Sequence, residues 1–68
     1  MAKYYVNDDA QPNGDHEVHE KGCSWLTLTQ STTYLGEFNG GHDAVAIAKT
    51  IYGKSNGCAY CCPDCHTS

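Results

Sequence analysis

Gly57-Cys58-Ala59-Tyr60-Cys61-Cys62-Pro63-Asp64-Cys65-His66 carries four of the five cysteines of a 68-residue chain. They form two abutting C-x2-C units, Cys58/Cys61 and Cys62/Cys65. A turn of this kind brings two sulfurs within reach of one metal ion or one short disulfide. Neither pair fills a tetrahedral zinc site, which takes four nitrogen or sulfur ligands. The remaining cysteine is Cys23, in His19-Glu20-Lys21-Gly22-Cys23, and this H-x3-C unit supplies the missing half. The expectation is one structural zinc ion that ties the two segments together, with the rest of the chain packed around the tie.

Composition explains why a tie is needed. A single domain spanning residues 1–68 buries only ~60% of its unfolded surface, so packing alone leaves it marginal. Leu, Ile, Val and Phe account for 9 of the 68 residues, below the ~20% at which disorder becomes a concern. Trp25 and five tyrosines add apolar area. Scaffolds of this size usually carry a staple, and a structural zinc supplies ~10–16 kcal/mol of apparent binding energy in finger peptides.

Charge and hydropathy narrow the partners. Four Lys+Arg face eight Asp+Glu, for a net charge of -4 and a pI near 5.3. Nucleic-acid affinity rests mainly on cations that neutralise phosphates, so DNA and RNA are disfavoured. No apolar run approaches the ~18 residues of a membrane span, and the start, Met1-Ala2-Lys3-Tyr4-Tyr5-Val6, lacks the apolar core of a secretory signal. The expected location is therefore the cytoplasm, where clustered thiols more often bind metal than pair. An odd cysteine count points the same way, since a pure disulfide framework would strand one thiol.

Along the chain, Lys3 to Val6 reads as a first strand, and Asn7 to Asp15 as a loop rich in turn formers. The acidic residues Asp8, Asp9 and Asp15 are expected to serve solubility. Glu17-Val18-His19 is a short extended segment that delivers His19, and Gly22 gives the backbone freedom before Cys23. Trp25, Leu26 and Leu28 are placed to shield the sulfur. Thr33 to Phe38 is the best strand candidate. Asp43 to Tyr52 is a helix, with Ala44, Ile47, Ala48 and Ile51 at helical spacing and Val45 and Tyr52 widening the stripe. Gly53 ends it, and Lys54 to Gly57 is a turn. The fold class is α+β: a small antiparallel sheet of about three strands, one helix and a C-terminal cysteine knuckle.

The H-x3-C unit, the Thr-Tyr-Leu-Gly-Glu-Phe strand, the Ala-Val-x-x-Ala helix and the closing C-x2-C together resemble the Ada-type metal-binding domain of bacterial DNA methylphosphotriester repair proteins. The similarity runs from about His16 to Cys65. In that family one zinc is held by a C-x3-C pair and a later C-x2-C pair. The resemblance implies His19 and Cys23 as the first pair and Cys62 and Cys65 as the second, because a Cys-Pro-x-Cys turn ends the chain; Cys58 and Cys61 are the alternative second pair. The family's methyl-acceptor cysteine falls at His19, whose imidazole is a zinc ligand but not the nucleophile that methyl transfer needs. The chain also resembles a small bacterial family with an NGCxxCCxxCHTS-like tail.

The leftover C-x2-C pair is free to form a disulfide. Vicinal Cys61 and Cys62 point to opposite sides if the backbone is extended, which assigns one sulfur to each unit. Zinc at either pair with a disulfide at the other satisfies that geometry. His16, His42 and His66 compete with His19 as ligands, although His66 adjoins Cys65 and is poorly placed for the same ion. A closed four-ligand site leaves no position for a catalytic water. The expected function is thus a monomeric binding or accessory module for a protein or small ligand, without catalysis. The competing class is a thiol/disulfide redox protein, against which stands the lack of a helix pattern after either C-x2-C unit.

Overall fold

The computed structural model describes residues 1–66, so residues 67 and 68 of the cysteine-rich tail lie outside it. Strands β1 (Ala2–Asn7), β2 (His16–Glu20) and β3 (Thr32–Phe38) precede helix α1 (Gly41–Ile51), and strand β4 (Ser55–Gly57) follows it. Short 3₁₀ turns occupy Leu26–Leu28 and Pro63–Cys65. The class is α+β, with a four-stranded mixed sheet in the order β3-β1-β2-β4. β1 runs antiparallel to both neighbours, while β2 and β4 are parallel.

The fourth strand replaces the turn expected at Lys54 to Gly57. Nothing in Ser-Asn-Gly favours a strand by propensity. It forms because α1 returns the chain beside the free edge of β2, where His16 pairs with Ser55 and Val18 with Gly57. The His16 N–H donates to the Lys54 carbonyl at 2.7 Å and begins this ladder. β3 and β4 are consequently parallel strands joined by a helical crossover, with β1 and β2 lying between them.

Alternation along the strands decides what α1 covers. Tyr4, Val6 and Val18 project to one face and are buried with Ala44, Val45 and Ala48 of the helix. Leu35, Phe38 and Tyr52 pack against the edge of this core. The helical stripe is rotated from the expected one: Ile47 and Ile51 are exposed, while Gly41 is buried with the two alanines. Small residues let the helix approach the sheet closely, which leaves the larger Ile side chains on its flank. Register also shifts between β1 and β3, where Tyr4 pairs with Gly36 but Tyr5 with Tyr34. The extra residue is a bulge, and Gly36 takes a φ of 127° there, a region open to glycine at little cost.

The Asn7–Asp15 loop is fastened by a residue that the sequence marks only as charged. Asp8 accepts hydrogen bonds from the hydroxyls of Ser31 (2.7 Å), Thr33 (2.7 Å) and Tyr52 (2.9 Å). The Tyr52 ring stacks on His16 with centroids 3.8 Å apart. One carboxylate therefore joins the end of β1, the start of β3 and the residue that caps α1.

Candidate metal centre

β2 places His19 on the sheet face opposite Val18, and so away from the helix. The imidazole is nonetheless only 1% exposed, because two loops close over it. The first follows β2 directly. The Cys23 N–H donates to the Glu20 carbonyl at 3.0 Å, and Gly22, with φ at 93°, occupies the turn position that requires a positive φ. The second follows β4. The Cys58 N–H donates to the Val18 carbonyl at 2.9 Å, carrying the β2–β4 ladder one residue further and setting Cys58 beside His19. The Cys62 N–H then donates to the Cys58 carbonyl at 2.8 Å and curls the backbone so that Cys61 faces inward.

These local features bring His19, Cys23, Cys58 and Cys61 together, with their ligand atoms all within 4.8 Å of one another. His19 Nδ1 lies 3.9 Å from Cys23 Sγ and 3.8 Å from Cys61 Sγ. Bond lengths of ~2.0–2.3 Å around a tetrahedral zinc imply ligand–ligand edges of roughly 3.5–3.8 Å. The two His19–sulfur separations come close to these edges, and the cluster could hold a metal ion. Its donors are one imidazole and three thiols, a set suited to a borderline-soft ion.

The electrostatics fit the same use. Burial lowers the pKa of His19, with the Glu17 carboxylate pulling the other way. A neutral imidazole is the form that ligates. Glu17 Oε1 stands 3.6 Å from His19 Nε2, the ring nitrogen other than the one that faces Cys23 and Cys61. A carboxylate behind a ligating histidine selects the tautomer that leaves Nδ1 free. Burial pushes the Cys61 thiol far above its usual range, and the neighbouring Cys23 and Cys58 thiols add to the shift. The Glu20 backbone N–H acts against it. A bound cation reverses this balance, since a coordinating thiol is deprotonated outright.

Cys62 and Cys65, the first-choice second pair, are not brought to His19 and Cys23; Cys58 and Cys61, the alternative, are. Cys62 and Cys65 form a disulfide with each other. By Cys62 the chain has turned back beneath the start of α1, where both sulfurs press on Gly41, and Cys65 presses on Gly57. Cys65 belongs to the helix-side core. The vicinal cysteines therefore serve different units, with Cys61 in the cluster and Cys62 in the disulfide, although the backbone here is a turn rather than the extended segment on which that expectation is conditional. The ring so formed spans a sequence separation of 3, and a loop this short constrains the unfolded chain by only about 2 kcal/mol. The His19–Cys61 approach instead spans 42 positions.

The other histidines are elsewhere. His16 Nδ1 contacts the Asn7 carbonyl at 2.9 Å, and His66 Nδ1 contacts the Gly57 carbonyl at 2.8 Å. Trp25 and Leu28, expected to shield the sulfur, are exposed. Trp25 pairs instead with Tyr60 at 5.2 Å, above a cleft that Gln11, Glu17, Cys58 and Ala59 complete. Its volume of about 120 Å³ is below the ~300 Å³ at which small-molecule sites begin. Glu17 is the residue that sequence reasoning missed; its signal was the i, i+2 spacing to His19 on a strand.

Among the described residues, no helix is long and apolar enough to cross a membrane. Comparison of the chain with protein-family models, with curated proteins and with solved structures finds no match.

Proposed function

We propose that this chain is a zinc-stapled binding or accessory module, with one structural ion held by His19 Nδ1, Cys23, Cys58 and Cys61. The observation that carries the proposal is the convergence of four ligand atoms from two distant segments within 4.8 Å. All four tetrahedral positions are taken by protein, so the ion has no open site for water or substrate and its work is to hold the fold. Three unbridged thiols in the cluster suit a reducing, cytoplasmic compartment.

The spacing of the ligands, H-x3-C followed by C-x2-C, is the part of the Ada-type resemblance that enters this proposal. Methyl transfer does not enter it, because an imidazole stands where that family has its acceptor cysteine. The partner we assign is a protein segment with a basic side chain. Glu17 lines the cleft beside the cluster together with Trp25 and Tyr60, and the chain as a whole is acidic. Nucleic acid is disfavoured by the same charge.

Elemental analysis of native protein tests the reading directly. One equivalent of zinc is expected, together with unfolding in excess chelator. Less than half an equivalent, with an intact fold in chelator, would remove its basis.

A further inference from the structure

The Cys62–Cys65 disulfide plays no part in the metal centre, and it ties together nothing distant. Its two residues differ in burial. Cys65 is 3% exposed within the helix-side core, whereas Cys62 is only partly buried at its edge. Both sulfurs rest against Gly41, the first residue of α1, where a β-carbon would collide with Cys62 Sγ and then with Cys65 Sγ. No side chain caps that end of the helix. The sulfurs thus lie beside the first residue of an 11-residue helix, reached through space rather than by following the C-x2-C unit along the chain.

We propose that Cys62–Cys65 is a redox-active pair that exchanges with small thiols of the glutathione class, with Cys62 as the sulfur attacked. An external thiolate attacks Cys62 Sγ, the S–S bond breaks, and Cys65 Sγ leaves with the electron pair. The departing sulfur faces the helix end, where negative charge is stabilised, and then takes up a proton. The Cys62 carbonyl, 3.2 Å from Cys65 Sγ, is in place to accept the resulting S–H. A second external thiolate attacks the outer sulfur of the mixed disulfide and releases Cys62. The two external thiols depart as their disulfide, and the two electrons they lose reduce the protein pair to a dithiol. The reverse sequence reduces an external disulfide to two thiols and closes Cys62–Cys65 again.

The test uses full-length, zinc-loaded protein equilibrated in glutathione buffers of increasing reduced fraction, quenched with alkylating agent and mapped by peptide mass. Cys62 and Cys65 should become alkylated together while zinc content and circular dichroism stay unchanged. A Cys65→Ser variant should accumulate a glutathione adduct on Cys62, and Cys62→Ser should accumulate about tenfold less on Cys65, since access to the attacked sulfur governs exchange. A pair that stays closed in fully reduced buffer, or equal adduct on the two single variants, would overturn the proposal. The wild-type arm stands if either variant fails to fold. Zinc content is read separately in the same samples, so failure of the metal reading is distinguishable from failure of this one.

Discussion

His19 Nδ1 lies 3.8 Å from Cys61 Sγ across 42 positions of sequence, and Nε2 of the same imidazole faces Glu17. That approach joins β2 to the segment after β4. The helix-side core of Tyr4, Val6, Val18, Ala44, Val45 and Ala48 is small. A metal at this point would therefore contribute a large part of the stability of the fold.

Replacing one ligand tests which cysteines matter. Cys61→Ser should abolish stoichiometric zinc binding and cooperative unfolding, since ~10–16 kcal/mol of apparent binding energy is at stake in sites of this kind. The double variant Cys62→Ser/Cys65→Ser should retain one zinc. Inductively coupled plasma analysis of both, beside thermal melts, separates the two candidate pairs. Zinc lost from the double variant and kept in Cys61→Ser would reverse the assignment.

Glu17→Gln keeps the size of the side chain and removes the charge behind His19. Zinc affinity should fall by about 10–100-fold with the fold intact, as for other partners of ligating histidines. Competition with a chromophoric chelator measures it. Unchanged affinity would make the 3.6 Å approach incidental.

Metal binding should also be proton-linked. Three thiols must lose protons to ligate, and burial holds the Cys61 thiol in its protonated form when no cation is present. Apparent zinc affinity should therefore rise with pH and collapse on acidification. Titrations in buffers of different ionisation enthalpy should report net proton release on binding; proton uptake would contradict the thiolate set.

Asp8 is held below the usual carboxylate range by the hydroxyls of Thr33, Ser31 and Tyr52. Because its folded pKa is depressed, its contribution is full above the unfolded value of about 3.9 and is lost as pH falls through the folded one. Asp8→Asn should melt below wild type at neutral pH, and the gap should close in acid. A gap that widens as pH falls would refute the sign.

Gly57 has no room for a methyl group, since a β-carbon there would collide with Cys65 Sγ. Gly57→Ala should destabilise the protein by about 1–3 kcal/mol through overpacking. Part of that loss should be recovered in a Cys65→Ala background, where the colliding sulfur is gone but the Cys65 backbone, 3.0 Å from the new methyl, remains. Denaturant melts of the four proteins of this cycle give the coupling, and strict additivity would count against the contact.

The sequence by itself determined that one helix would lie across a small sheet and that candidate metal ligands would come from both the H-x3-C unit and the cysteine tail. Period, turn chemistry and ligand spacing are local properties, and the first three strands and α1 lie close to where those properties put them. It left open which C-x2-C pair meets His19. Both pairs have the same spacing, and Cys61 and Cys62 are adjacent. Only tertiary structure decided between them, through the β2–β4 ladder. Once α1 returns Ser55–Gly57 to the edge of β2, the Cys58–Val18 hydrogen bond delivers Cys58 and Cys61 to the sheet face of His19. Four residues later the chain has passed under the helix, and Cys62 and Cys65 meet each other against Gly41. The same long-range return turned Ser55–Gly57 into a strand and made Asp8 a fastening point, neither of which any local pattern encodes.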